Sequence, residues 1–444
     1  MSGARAAVLA SLAVEPGQSR HGLEVARLAG VSSGSLYPIL VRLQRAGLVE
    51  ARWSAGRRAY RLTGPPPPAA AAERTARTAL LWLPAALAAL AAAGAALTRP
   101  PHVRLSDLAV YTGAVDGLTH GASLYDYLSA GGAPFTYPPF AGLVFLPLAG
   151  APPFALQLGW TLATIAVVAG LALLLDRRGR RAPAYALVLM LSAPVASNLR
   201  FGQVSLWLAA MIAVDVLALR QSRWQGLLVG LAAAVKLTPL IFIPMLWFAG
   251  RRRAAVLATA AFTSCGAVGA LALPGDSWRF WTTEVTHVSR LGHLTGIGNQ
   301  SLNAALLRLG LSAPARSAIV LLAGGAVAAL ALHRATRQAR AGDWFSALVV
   351  TGTAGLVLSP VSWTHHQIWL VPAALLPVAG GCWARRGWPA LVLVVMLLPV
   401  PALGPPLWSN SRLLLAVTIA ALLPLSRPAR PRRLQVRRAG APPA

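Results

Sequence analysis

Few side chains in this sequence are of types that handle protons or anions, and they are widely spaced. Asp107, Asp116, Asp126 and Glu284 are scattered acids with no paired or DxD spacing. Tyr111, Tyr125 and Tyr137 follow Asp107, and Asn198, Arg200 and Gln203 cluster further on. Lys236 is the only lysine in the chain. Trp278, Trp281, Glu284, His287, Asn299, Gln300 and Asn303 fall in a tryptophan-rich stretch, and Trp363, His365 and His366 follow Pro360. Each type has two readings. A loop carboxylate is an ordinary solvated acid or, partly desolvated, a proton acceptor. Tryptophans anchor at membrane interfaces or stack on sugar faces. Two adjacent histidines cannot share one helix face, and a metal there would need further ligands, none of which is near in sequence. No metal site is expected.

The elements that position these residues belong to a membrane protein. Of the 444 residues, 56% are hydrophobic and only 12% charged, where soluble domains carry roughly 25% charged residues. Apolar runs of roughly 18–23 residues match the length of a helix crossing a bilayer core. The net charge of +28 comes almost wholly from arginine, in a composition that looks like a GC-rich actinobacterial genome. Most of that arginine lies between apolar runs, as the positive-inside rule expects, so it marks topology before nucleic-acid binding. Cys265 and Cys382 sit in apolar runs and offer neither a disulfide framework nor metal-ligand spacing. No cleavable signal peptide is expected, because residues 1–65 are polar and mixed.

Arginine clusters at Arg177–Arg181, Arg220–Arg223, Arg251–Arg253, Arg334–Arg340, Arg385–Arg386 and Arg427–Arg438 mark the cytoplasmic side. One threading satisfies them all: spans at 79–98 and 153–175, tight hairpins at 183–219 and 225–249, then 254–274, 315–333, 344–361, 366–384, 388–404 and 411–426. The expected fold is thus an all-α polytopic membrane protein of about 12 transmembrane helices. Both termini are then cytoplasmic, and 427–444 forms a basic tail without structure. Phe140–Pro147 is too short to span and would lie at the interface. The threading uses arginines alone and leaves 99–152 outside, yet every polar residue named in the first paragraph falls in an outer loop or turn. Polar groups gathered opposite the arginine side need a reason, and a shared external active site is one. Arg200 and Lys236 are isolated bases on the side nearly free of cations.

Residues 1–63 differ from the rest. Helical periodicity runs over Ala4–Val14 and Gly22–Leu28, and a third helix follows Ser32, whose hydroxyl can cap it, with Leu36, Ile39, Leu40 and Leu43 on one face. Arg52 to Leu62 alternates around a turn at Ser54–Gly56, as a β-hairpin wing. Ser33 to Thr63, with its Leu36-Tyr37-Pro38 start of the third helix, resembles the PadR-like winged-helix family, a small α+β module that binds DNA. The chain departs from that family where the long dimerisation helix should follow. Pro65–Pro68 leads instead into an alanine-rich linker over 64–78 and then a span. DNA binding through residues 1–63, or a remnant or protein-contact module, are the two readings of that segment.

The membrane part, 79–426, carries its own resemblance. Asp107-Leu108-Ala109-Val110-Tyr111, Gly121 to Tyr125, Phe135 to Phe140, Gly202-Gln203, Gly226 to Pro239, Gly298 to Ser301 and Ser359 to His366 are similar to glycosyltransferase family 87. The resemblance implies a GT-C fold and a mannosyltransferase that takes its sugar from polyprenyl-phosphate mannose and extends a glycolipid acceptor outside the cytoplasm. Polyprenyl-phosphate sugar is then the donor substrate, and no separate cofactor is expected. It also implies Asp107 as the catalytic carboxylate and a role for His365 and His366. Inverting transfer from a lipid phosphate needs a base for the acceptor hydroxyl and fixed cations for the departing phosphate. Arg200 and Lys236 are candidates for the cations, and Gln203, Tyr111, Tyr137, Asn299, Gln300 and Trp363 for binding substrate. The competing readings are a lipid-linked sugar flippase and a membrane-tethered transcriptional regulator. A flippase would show intramembrane charge and repeat symmetry between halves, and neither is evident.

Overall fold

A computed structural model describes residues 3–13, 18–54, 57–63, 68–176, 179–287, 292–404 and 406–426. The chain divides into two compact units, Met1–Leu83 and Pro84–Ala444. In the first, α1 (Gly3–Ala13), α2 (Gly22–Ala29) and α3 (Ser33–Arg45) bury Val8, Leu12, Val25, Leu36, Leu40 and Leu43 together. The spacing 36, 40, 43 puts one face of α3 into that core. β1 (Arg20–His21), β2 (Val49–Ser54) and β3 (Arg57–Leu62) form an antiparallel sheet in the order β1-β3-β2, with Val49 opposite Leu62 and Ala51 opposite Tyr60. The expected helices and hairpin are all there. β1 was not foreseen, because two residues are too few to show an alternation. Ser32 does stand at the cap of α3, but its hydroxyl bonds the Ser35 hydroxyl at 3.0 Å and accepts no backbone N–H.

The linker expected over 64–78 is helical from its fifth residue, because α4 (Pro68–Leu97) begins there and runs on into an apolar stretch. Residues 64–67 and the basic tail 427–444 lie outside the described residues. After α4 come α5 (Ser106–Thr119), α6 (Pro139–Phe145) and α7 (Pro153–Leu175). The bent pair α8 (Ala182–Leu191) and α9 (Ala193–Phe201) is followed by α10 (Ser205–Ala213), α11 (Leu227–Val235), α12 (Phe242–Phe248) and α13 (Arg252–Ala272). The remainder holds α14 (Pro274–Thr282), α15 (Leu302–Arg308), α16 (Ala313–Ile319), α17 (Gly325–Arg340), α18 (Trp344–Leu358), α19 (Cys382–Leu397), α20 (Pro406–Ser409) and α21 (Ser411–Val417). A π-helical turn joins α16 to α17.

Among the described residues, four helical stretches are long and apolar enough to cross a membrane: Ala79–Leu97, Pro153–Leu175, Arg252–Ala272 and Ala313–Arg340. The α8–α9 pair, bent by 64°, would make a fifth. The chain is therefore a mostly helical membrane protein with a small N-terminal sheet. Several expected spans are shorter or broken. The segment 366–384 holds only 3-10 turns, Thr364–Leu370 and Pro372–Leu375, before α19 begins. Pro372 and Pro377 cannot donate helical hydrogen bonds, and irregular backbone survives at membrane depth only where protein surrounds it. Ile368, Leu370, Val371 and Ala373 are indeed buried. The short piece expected at the interface is α6, which packs one face against α5 and α13 while Val144 and, just beyond it, Leu146 stay exposed. A Cβ at Gly269 of α13 would stand 3.2 Å from the Phe140 backbone nitrogen. Glycine also lets α11 lie against α13, since a Cβ at Gly230 would overlap the Ala258 carbonyl oxygen.

Candidate functional site

Asp107 is held by the start of α5. Leu105, in a left-handed conformation (φ 44°), turns the chain into the helix, and Leu108, Tyr111, Ala114 and Val115 bury its inner face. Tyr111 stacks on Phe145 of α6 with ring centroids 4.6 Å apart, and its hydroxyl lies 2.9 Å from that of Tyr137. α9 ends at Gly202 (φ 68°), where a Cβ would come within 2.7 Å of the Leu108 Cβ. The glycine thus brings the next residue, Gln203, onto Asp107. Gly202→Ala adds a left-handed penalty of about 1–2 kcal/mol to that clash. It should lower the melting temperature in detergent and reduce activity together.

Gln203 Nε2 donates to Asp107 Oδ2, while Gln203 Oε1 accepts from the Tyr137 hydroxyl at 3.2 Å and the Ser205 hydroxyl at 3.3 Å. Lys236 stands at the C-terminal end of α11, at the turn before the next helical segment. Its ammonium donates to Ser205 Oγ at 3.2 Å and to His366 Nε2 at 2.8 Å, and lies 5.3 Å from the centroid of the Tyr137 ring. The 3-10 turn carrying His365 and His366 is fixed by Asn198, whose Nδ2 donates to the His365 carbonyl at 3.0 Å. Burial raises the Asp107 carboxyl above the ordinary carboxylate range, against the lowering by Gln203, Ser106 and Lys236. Burial likewise lowers Lys236 to about 7, with Asp107 opposing. Because an ammonium only donates, His366 Nε2 is the acceptor of its bond with Lys236.

Asp107, Tyr111, Tyr137, Gln203, Lys236, Trp363, His365 and His366 line one cavity of about 1140 Å³. Lys236 is the only lysine or arginine among the described residues that line it. The cavity's far wall includes Glu284 and His287, near α14. Arg279 ties that wall to the segment after α5, bonding Glu284 at 2.9 Å and Asp126 at 2.5 Å. A volume of this size, lined by two acids, Asp107 and Glu284, and one cation, can hold a phosphorylated sugar and an acceptor together. Among the described residues, no group of three or more His, Cys, Asp or Glu is placed to hold a metal ion.

Three expected substrate contacts lie elsewhere. Arg200 is exposed on α9 and stacks over Phe201 at 5.1 Å, because the helix buries Asn198 and Leu199 and turns the next position outward. Asn299 and Gln300 are buried in structural roles. Asn299 Oδ1 accepts from the Ser362 and Ser301 backbone nitrogens at 2.8 and 3.3 Å. Gln300 Nε2 donates to the carbonyls of Ile297 and Ser409, and its Oε1 accepts from Leu413 N at 3.1 Å. These residues position the Trp363–His366 turn and do not line the cavity. Asn299→Ala leaves the Ser362 and Ser301 backbone nitrogens without their side-chain partner, at about 1–3 kcal/mol for each buried unsatisfied group. Thermal unfolding should report that loss, and activity should fall with it. Ser205 and Ser197, the latter 3.4 Å from His365 Nδ1, were missed by sequence reasoning. Ser205 stands only two residues after Gln203, the one signal that could have found it.

The family model described as glycosyltransferase family 87 matches residues 135–360, just over half of the chain. The model described as the transcriptional regulator PadR-like family matches residues 9–65. A polyprenol-phosphate-mannose-dependent alpha-(1-2)-phosphatidylinositol pentamannoside mannosyltransferase of Mycolicibacterium smegmatis is 32% identical over 335 residues, covering 70% of this chain and 80% of its own. Its namesake from Mycobacterium tuberculosis is 31% identical over 404 residues, covering 84% and 89%. A polyprenol-phosphate-mannose-dependent alpha-(1-2)-phosphatidylinositol mannoside mannosyltransferase of Mycobacterium tuberculosis is 34% identical over 274 residues, covering 57% and 64%. No solved structure matches the chain.

Proposed function

Because the chain belongs to glycosyltransferase family 87 and is thus a glycosyltransferase, we propose that it moves mannose from polyprenyl-phosphate mannose to a phosphatidylinositol mannoside or related glycolipid. The observation that carries this reading is the placement of Asp107 and Lys236 on one cavity, joined through Gln203 and Ser205. In the proposed reaction an acceptor hydroxyl oxygen attacks the anomeric carbon as its proton passes to the Asp107 carboxylate. The bond from the anomeric carbon to the phosphate oxygen breaks, with inversion. The phosphate leaves with that electron pair and is held by the Lys236 ammonium. His366, accepting from Lys236, aims the ammonium at the cavity, and His365 and Trp363 contact donor or acceptor. Labelled polyprenyl-phosphate mannose supplied to membranes containing the protein should give a labelled mannolipid. Label remaining wholly in the donor across a panel of phosphatidylinositol mannosides would sink the reading.

The proposed architecture is a GT-C fold of about twelve spans, the shorter helices pairing or bending to cross, in the plasma membrane. Domain bounds of 1–63, 64–78, 79–426 and 427–444 go with it. Both termini then face the cytoplasm and the cavity faces away from it. The PadR-like match favours a second activity, DNA contact by residues 1–63. A gel shift with the full chain in detergent micelles should then show sequence preference that survives physiological salt. Binding that vanishes with salt and ignores sequence would leave only electrostatic contact.

A further inference from the structure

Between the acid and the cation of the cavity there is no direct bond, yet a continuous line of donors and acceptors joins them. Lys236 Nζ donates to Ser205 Oγ, Ser205 Oγ donates to Gln203 Oε1, and Gln203 Nε2 donates to Asp107 Oδ2. The direction of each bond is dictated by chemistry. The ammonium can only donate, so the Ser205 oxygen must accept from it and has its one proton to give onward. That proton and the Tyr137 hydroxyl both end on Gln203 Oε1. With its oxygen taken twice, the amide cannot flip, and its NH₂ must face the carboxylate.

We propose that Ser205 and Gln203 are positioning residues, a polar strut that holds the catalytic carboxylate of Asp107 by locking the Gln203 amide and that ties it to Lys236. This inference rests on the assignment of Asp107 as base. It moves Gln203 from substrate contact to orientation and adds Ser205, which no sequence motif marked. The strut has a second effect. A carboxylate receiving an N–H is favoured in its charged form, whereas a flipped amide would turn its oxygen toward it and favour protonation. The other groups facing Asp107 or on the elements packed against α5 are accounted for. Lys236, Tyr111, Tyr137, His365 and His366 line the same cavity, as do Glu284, His287 and His293. Tyr125 donates to the Tyr137 carbonyl and Tyr127 to the Ala109 carbonyl of α5, while Asp116, Asp126, His120 and Arg200 are exposed.

The test is the pH dependence of kcat/KM for polyprenyl-phosphate mannose in Ser205→Ala, Ser205→Thr and Gln203→Leu. Gln203→Leu removes the donor to Asp107, and its acid limb should move up by about one pH unit, with kcat falling more than KM rises. Ser205→Ala frees one of the two bonds that lock the amide and should move the limb the same way by less. Ser205→Thr keeps the hydroxyl and should restore the wild-type limb. A merely structural role predicts lower amounts of folded protein with all three limbs superimposed on wild type, and that result would overturn the proposal. Should Gln203→Leu fail to fold in detergent, the alanine and threonine variants at Ser205 decide alone: identical acid limbs refute the strut. Loss of transfer by wild type itself would strike the reaction assignment and not the strut, because the wild-type control separates the two.

Discussion

Asp107→Asn should lower kcat by about 10²–10⁴-fold, the usual contribution of a positioned general base, while leaving the dependence on donor concentration nearly unchanged. Asparagine keeps the shape of the side chain and one oxygen that Gln203 Nε2 can still meet, so the local fold should persist. What it removes is the ability to hold a proton. The size of the effect follows from the surroundings. Among the described residues no other carboxylate is hydrogen-bonded to the Gln203 amide, and Glu284, the other acid on the cavity wall, is paired with Arg279. His366 accepts from Lys236 through Nε2, and His365 meets Ser197 through Nδ1. Transfer of labelled mannose in membranes, at matched protein levels, measures the loss. A variant that transfers at the wild-type rate would remove Asp107 from the chemistry and pass the role of base to another group on the cavity wall, such as Glu284.

How far the site was legible in the sequence depended on what fixes each residue's direction. Asp107 and Lys236 were legible because a lone acid and the only lysine stand out against apolar surroundings, and the arginine distribution alone put them on one side. Arg200 was not, although it lies in the same short segment. The threading assigns a side of the membrane, but the face of a helix is set by how that helix packs. α9 bends by 64° from α8 and buries Asn198 and Leu199, which leaves Arg200 pointing out. Asn299 and Gln300 fall in a motif expected to bind substrate, yet backbone groups of Ser362, Ser301 and Leu413 consume their amides. The same limit applies to the fold. Long apolar runs at 79–97, 153–175 and 252–272 are uniform enough for their length to decide the matter. Around 366–384 the apolar content persists, but Pro372 and Pro377 deny it a helix, and only burial by neighbouring helices makes the irregular backbone tolerable. The N-terminal unit was the most legible part, because Leu36, Leu40 and Leu43 fall on one helical face and the hairpin alternates.

The second large effect is expected at Lys236, and it is a matter of binding and of pH. Lys236→Met removes the only lysine or arginine cation among the described residues lining the cavity, so KM for polyprenyl-phosphate mannose should rise by about 10–100-fold, the cost of leaving a phosphate in a dry site without its hydrogen-bonded charge partner. In the wild type the sign of the pH dependence is fixed by burial. With Lys236 lowered to about 7, the empty site loses its charge as pH rises through that value, and kcat/KM should fall on the alkaline side. On the acid side Asp107, raised by burial, is protonated as pH falls and can no longer accept a proton, so kcat/KM falls there too. The two limbs bracket an optimum. Once the lipid phosphate is bound its negative charge favours the ammonium, so the alkaline limb of kcat should lie at higher pH than that of kcat/KM. Lys236→Arg separates charge from titration, because a guanidinium stays protonated throughout this range. It should lose the alkaline limb while keeping donor affinity far better than methionine does. If Lys236→Met kept the wild-type KM, or if the arginine variant kept the limb, another group would have to hold the phosphate. The remaining candidates on the cavity wall are histidines, of which His366 already accepts from Lys236 while His287 and His293 are exposed, and this is why the lysine carries the expectation.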